Sequence, residues 1–196
     1  MKTAPPPALV TNLTRRTEVP EEELALITSY FRRETFSRGK QLIVAGGRCD
    51  KIFYIETGLL KSYLLTEGGK EKVVMFGFPD WWITDMDSFT NETPATVTIQ
   101  ASEKTMTRSL ARADFDTLLN TSTAFESIFR KMMQYSYIRE QRRAQELISL
   151  SASARHRCLI ERYPLIEQTV AQKDIASYLG ITPEFLSALK KDGRKS

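Results

Sequence analysis

The groups in this sequence that could carry out covalent or metal chemistry are few, and their spacing argues against each. His156 is the only histidine and stands between Arg155 and Arg157, so a metal site built from imidazoles cannot be assembled. Cys49 and Cys158 lie far apart with no CxxC pair, which fits two reduced structural thiols rather than a disulfide framework, a zinc site or an iron-sulfur cluster. Gly68-Gly69-Lys70 is too short for a phosphate-binding loop, and Ser187-Ala188-Leu189-Lys190 matches an S-x-x-K nucleophile pattern only at chance-level spacing. A metal-binding barrel would need clustered His and carboxylate ligands, and residues 35–110 hold no histidine. No enzyme, no metal and no cofactor are therefore expected.

What remains is the chemistry of charge. Residues 1–110 carry 14 Lys and Arg against 14 Asp and Glu, whereas residues 111–196 carry 14 against 10, so the whole net charge of +4 lies in the second part. Polyanions are drawn to such an end, although the same excess also suits a solvated helical surface. With 196 residues, 41% hydrophobic and 27% charged, the chain can form one large domain or two small ones. No apolar run approaches the roughly 18 residues of a membrane helix, and Met1–Val10 lacks the apolar core of a secretory signal. A cytoplasmic protein with no membrane partner is expected.

Several elements must position that charge. Residues 1–19, with Pro5-Pro6-Pro7, read as a flexible or extended arm. A helix is predicted from Pro20, with Glu21 to Glu23 at the positive end of its dipole and Leu24, Ile27, Tyr30 and Phe31 on one face. Between residues 35 and 110, short β-branched and aromatic runs alternate with turn signals at Gly39-Lys40, Gly46-Gly47, Thr57-Gly58, Glu67-Gly68-Gly69, Pro79-Asp80 and Thr93-Pro94, the spacing of an all-β barrel or sandwich. A long helix is predicted over 122–150. Its apolar stripe, Phe125, Ile128, Phe129, Met132, Met133, Tyr135 and Ile138, is too wide for one contact surface. Phe125, Ile128, Phe129, Met132 and Tyr135 are accordingly the candidate dimer interface, the alternative being a single buried face. Residues 151–196 read as a set of short helices: Ala154 to Tyr163, Gln172 to Leu179 and Pro183 to Lys191.

The last two of these, in QKDIASYLGITPEFLSALKK, have the pattern of a helix-turn-helix. Ile175, Leu179, Ile181, Leu186 and Leu189 clamp two helices at a steep angle, and Ala176 must be small where they cross. Gly180 ends the first helix in a left-handed conformation, Thr182 caps the second, and Pro183 fits its first turn. Pro183, Glu184, Ser187 and Lys190 should face outward into a DNA major groove, with Lys191 nearby. Lys190, Lys191, Arg194 and Lys195 suit phosphates, Glu184 a cytosine amino group, and Ser187 several base edges. Gln172, Lys173 and Thr182 sit at helix starts, where they would meet the DNA backbone. The alternative is a helical hairpin that merely packs.

This order of elements resembles the Crp/Fnr family of bacterial transcription regulators over about Leu24 to Lys191. Asp50-Lys51-Ile52-Phe53-Tyr54-Ile55-Glu56-Thr57-Gly58 is similar to that family's strand ending in a glycine turn, Gly69-Lys70-Glu71 to its next hairpin, and QKDIASYLGIT to one branch of its helix-turn-helix. The resemblance implies an α+β architecture: a cyclic-nucleotide-binding-type β-roll (a jelly roll, 20–121), a dimerisation helix (122–150) and a winged-helix-like DNA-binding domain (151–196). It also implies a homodimer on a roughly palindromic operator in double-stranded DNA, with RNA polymerase and a small-molecule effector as further candidate partners.

Members that bind cyclic AMP hold its phosphate between a Gly-Glu pair and an Arg-Ser pair. Here Thr84-Asp85 and Ala95-Thr96 stand at those positions and form the candidate effector pocket. The phosphate would lack its arginine and meet the Asp85 charge, so cyclic AMP is not expected to bind. Another effector, or a pocket filled by the chain's own side chains, is expected instead; Trp81 and Trp82 either line it or belong to the core. Two departures weaken the DNA-binding side. Ala188 stands where many members carry an arginine, and no segment up to Ser196 corresponds to a β-wing. A protein-interaction module that keeps the architecture without DNA binding is the rival reading.

Overall fold

Short runs of Ile, Phe, Tyr, Val and Thr between glycine turns have the local preferences of strands, and they pair as such. In a computed structural model that describes residues 7–192, the strands are β1 (Arg32–Phe36), β2 (Gln41–Ile43), β3 (Lys51–Thr57), β4 (Leu60–Leu65), β5 (Glu71–Gly77), β6 (Trp82–Ile83), β7 (Thr98–Ala101) and β8 (Thr105–Ala111). They form two four-stranded sheets, of order β1-β8-β3-β6 and β2-β7-β4-β5. β3 runs antiparallel to both its neighbours, with Phe53 opposite Ser109 of β8 and Ile83 of β6. Ile52, Phe53, Tyr54 and Ile55 are all buried, so this strand shows no alternation, as a strand covered on both faces should. Gly58 ends it at φ +92°; a Cβ there would lie 2.5 Å from Thr105 Oγ1, so only glycine fits this turn.

The chain divides into two compact units, residues 1–62 with 76–135, and residues 63–75 with 136–196. In the first, strands β1 to β3 and β6 to β8, with the start of β4 and the end of β5, are accompanied by α1 (Pro7–Thr14), α2 (Glu21–Ser29), α3 (Met86–Asn91), α4 (Arg112–Thr121) and the beginning of α5 (Thr123–Ser149). α1 corrects the expectation of an extended arm: Leu9 and Leu13, one helical turn apart, are 0% and 1% exposed, and their burial stabilises a helix that the neighbouring prolines obscure. Asn12 of α1 accepts from Trp82 Nε1 at 2.8 Å and donates to Asp80 Oδ1 at 2.7 Å. Trp82 packs against Phe31 and Tyr54, so it belongs to the core.

α5 begins at a built cap. Ser122 Oγ accepts from Phe125 N at 3.1 Å, and the Glu23 carboxylate accepts from Ser122 Oγ at 2.6 Å and Ala124 N at 3.3 Å, placing a negative charge at the positive end of the helix. From there the helix is buried in its own chain. Phe125 and Ile128 are 3% and 9% exposed, and Phe125 and Phe129 meet the Phe115 ring edge-on at 5.7 and 4.7 Å. Of the expected dimer face, Phe125 and Ile128 are thus covered by their own chain, and Phe129 and Met132, half-buried, face a small cavity with Leu13, Ile52 and Phe115. Tyr135 is exposed, with the Arg16 guanidinium 4.4 Å from its ring centroid.

In the second unit, the rest of α5 is followed by α6 (Ala152–Arg162), α7 (Ile166–Thr169), α8 (Gln172–Leu179) and α9 (Pro183–Asp192). Ser151 caps α6 by accepting from Ala154 N.

If α1 is part of the core, Leu13→Ala should cost about 2 to 5 kcal/mol. Urea denaturation monitored by tryptophan fluorescence reads this, and a midpoint equal to that of the wild type would show α1 to be undocked.

Candidate nucleic-acid interface and ligand site

The α8–α9 corner is held by its glycine. Gly180 adopts φ +71° and ψ +30°, its N–H donates to Ser177 O at 3.1 Å, and Ile181 N donates to Ala176 O at 3.0 Å. This pair of bonds closes α8 and turns the chain sharply into α9. Ile175, Ala176, Leu179 and Leu186 are buried, Ala176 and Leu186 completely. Thr182 Oγ1 accepts from Phe185 N at 3.2 Å and so caps α9. Gln172 Nε2 donates to Ser187 Oγ and, at 3.4 Å, to Pro183 O, linking the two helix starts across the turn.

Gln172, Lys173, Thr182, Pro183, Glu184 and Lys191 are all exposed, and Ser187 is half-buried. Lys190 differs from expectation. Its ammonium lies 3.2 Å from Glu167 Oε1, which also pairs with Nε2 of the buried His156 at 3.1 Å. It therefore braces α9 against α7 and α6 instead of pointing outward, because the carboxylate is the nearer anion. Burial opposes ionisation of Glu167, but the hydrogen bonds from His156 and Lys190 outweigh it and hold the carboxyl below its usual range. Arg194 and Lys195 lie outside the described residues.

Three features of this unit had no signal in the sequence. Arg155 donates to Leu150 O at 2.7 Å and to Leu179 O at 3.1 Å, tying the ends of α5 and α8 together. Ser177 Oγ accepts from Val73 N at 2.9 Å and donates to Glu71 O at 3.1 Å, fixing α8 to the β5 side of the 63–75 hairpin. Phe185 is 47% exposed beside Glu184. The first two depend on neighbours distant in sequence.

In the first unit the four candidate effector-pocket residues lie together, but not as a cavity wall. Asp85 is 6% exposed. Its Oδ2 accepts from Thr96 N at 2.7 Å, Thr96 Oγ1 at 2.9 Å and Val97 N at 3.2 Å; its Oδ1 accepts from Ser88 N at 3.2 Å and so caps α3. Burial opposes its ionisation, but these donors outweigh it and hold the carboxyl below its ordinary value. Thr84 Oγ1 donates to Lys51 O at 2.9 Å and lies 3.2 Å from Cys49 Sγ. The buried Ala95 exchanges backbone bonds with the 46–47 turn, Gly46 N to Ala95 O at 2.7 Å and Ala95 N to Gly47 O at 2.8 Å. An open depression of about 360 Å³ lies beside them, lined by Gly46 to Cys49, Ser88, Thr93, Pro94 and Arg112. No cluster of three or more His, Cys, Asp or Glu among the described residues could hold a metal.

Residues 33–122 match the cyclic nucleotide-binding domain family. Solved structures extend the likeness to most of the chain. FixK2 of Bradyrhizobium japonicum is 14% identical with a TM-score of 0.73, over 84% of this chain and 85% of its own. A crp/fnr-family protein of Eubacterium rectale is 15% identical with a TM-score of 0.69, over 90% and 84%. CooA of Carboxydothermus hydrogenoformans is 17% identical, also with a TM-score of 0.69, over 95% and 84%. The chain has the Crp/Fnr fold. No curated protein sequence matches it. The expected β-roll, long helix and terminal helix-turn-helix are all present in that fold. Among the described residues no helix is long and apolar enough to cross a membrane.

The lowered Glu167 titration has a definite sign. Stability from the His156–Glu167–Lys190 cluster is present above the unfolded-state value of Glu167 and lost as pH falls through its lower folded-state value. Glu167→Gln should therefore flatten the fall in stability below about pH 5, as measured by urea unfolding at a series of pH values; equal slopes in both proteins would show that the cluster contributes nothing.

Proposed function

We propose that the protein is a DNA-binding transcription regulator that acts as a homodimer, inserting α9 into the major groove at each half of a pseudo-palindromic operator. The observation that carries this reading is the α8–α9 corner. Its apolar side is buried around Ala176 and Leu186, while Gln172, Lys173, Thr182, Pro183, Glu184 and Lys191 are exposed. Dimeric helix-turn-helix proteins bind half-sites about 34 Å apart. In this reading Lys173, Lys191 and the α9 start meet phosphates, and Glu184 and Ser187 meet base edges.

The dimer contact falls further along α5 than residues 125–132. Tyr137 and Ile148, 70% and 88% exposed, are separated by three helical turns and lie on one face with Gln141 and Ala144. A second copy of the chain could cover that stripe. The effector is not cyclic AMP: Ala95 supplies no cation, and Asp85 already engages Thr96. RNA polymerase is the further partner of such a regulator, and the cytoplasm its compartment. The rival reading, an interaction module without DNA binding, is favoured by Ala188 and by the engagement of Lys190 with Glu167.

Selection from random duplex DNA, followed by gel shifts at two salt concentrations, tests the proposal. Lys191→Ala should weaken binding to all sequences alike and make the slope of log affinity against log salt shallower by about 1, the effect of leaving one phosphate without its cation. Glu184→Ala should relax preference at one base position. Binding with neither sequence preference nor salt dependence would establish the interaction module instead. Titration calorimetry with cyclic AMP should show no micromolar association.

A further inference from the structure

A buried carboxylate is normally paired with a cation. Among the described residues that of Asp85 is not: its four hydrogen bonds come from neutral donors, namely the N–H groups of Ser88, Thr96 and Val97 and the Thr96 hydroxyl. Three of these converge on the single oxygen Oδ2. Two successive backbone N–H groups and a hydroxyl directed at one oxygen form a concave site of the kind that proteins use to hold oxyanions. The donors belong to the loop between α3 and β7, with Thr96 itself exposed, while the acceptor arrives from the start of α3, 11 residues earlier in the chain. Without the carboxylate, the Thr96 and Val97 N–H groups would lose this acceptor and turn to solvent, Thr96 being exposed.

We propose that Thr96 and Val97 form an oxyanion-binding site that the chain fills with its own Asp85 side chain, so that the α3 start and the 95–97 loop are joined without a ligand. The ligand class that the site would otherwise accept is a small oxyanion, a carboxylate or a phosphate. Two consequences follow from the geometry. In the wild type the tethered carboxylate is always at hand, so a free anion must compete with an intramolecular one and is excluded at ordinary concentrations. Once the carboxylate is removed, the same donors become an empty site open to anions from solution. Asp85 is thus a determinant of ligand exclusion, and this holds whether or not the chain binds DNA.

The test is chemical rescue in the full-length protein. Asp85→Ala should lower the melting temperature by at least about 5 °C, since a charged acceptor of several hydrogen bonds is removed from a protein of this size. Formate, acetate or inorganic phosphate, compared with chloride at equal ionic strength, should restore part of that stability in a saturable manner, and should leave the wild type unchanged. The arms separate carboxylate from phosphate as the better substitute. The double variant Asp85→Ala/Thr96→Val, which removes one donor as well, should bind formate at least several-fold more weakly. Should Asp85→Ala fail to fold, Asp85→Asn keeps the shape and loses the charge; it should be less stable than the wild type, and more so at pH 7 than at pH 3, because the stability contributed by a carboxyl held below its ordinary value is lost as pH falls. The proposal is overturned if both variants match the wild type in stability, or if the anions shift wild type and variant equally.

Discussion

The contact on which the first unit depends is the packing of three phenylalanines around Phe115. Its ring meets Phe89 of α3 at 5.3 Å, Phe125 of α5 at 5.7 Å and Phe129 of α5 at 4.7 Å, each edge to face, the arrangement that the charge distribution of aromatic rings favours. Through one side chain, the helix that carries the Asp85 cap is thereby coupled to the start of the long helix. A shift of α3 cannot leave α5 undisturbed, because close-packed rings repack rather than compress. The same cluster determines which part of α5 is free: the turns that hold Phe125 and Ile128 are occupied by their own chain, and apolar exposure resumes at Tyr135 and Tyr137.

The second unit rests on backbone geometry more than on aromatic area. A left-handed residue is needed where α8 ends, and Gly180 adopts it without the cost that a β-carbon brings. Ala176 then allows α9 to cross with Leu186 fully buried. The helices are short, so their ends need partners from outside the motif. Arg155 supplies them to Leu150 O, just past α5, and to the last carbonyl of α8, and Glu167 fastens α9 through Lys190. Basic residues in such a motif are divided between two tasks, and position on the helix does not reveal which is which.

That division marks the limit of what was legible. Gln172–Leu179 and the Gly180 corner could be read directly, because capping, periodicity and glycine all signal the same boundary. The long helix and the strands could be read for the same reason. α4 could not: Asp114, Asp116, Thr117 and Asn120 give it a polar composition, and only Phe115 and Leu118 are buried. α3 is six residues long, too short for periodicity to show. The sequence places Lys190 on α9, but Glu167 lies 23 positions earlier and its approach to Lys190 is tertiary. In the sequence Asp85 stands out only as a repulsive charge at the expected pocket. A sequence gives the sign of a charge but not the direction in which its carboxylate points.

Direction changes the physical role. An Asp85 carboxylate facing an open pocket would repel an anion and leave the Thr96 and Val97 donors to water. Turned inward, it satisfies those donors and holds the loop, so the feature that excludes a phosphate also does the work that a bound phosphate would do. A unit arranged in this way needs no ligand to order its α3 start. The 360 Å³ depression beside it, with Arg112 donating to Ser88 O at 3.3 Å and placed 4.8 Å from the Phe89 ring centroid, touches both the residue that Asp85 caps and the ring that meets Phe115. Any signal entering this unit by that route would reach α5 through packing that is already formed, and would act by loosening or tightening it rather than by creating it.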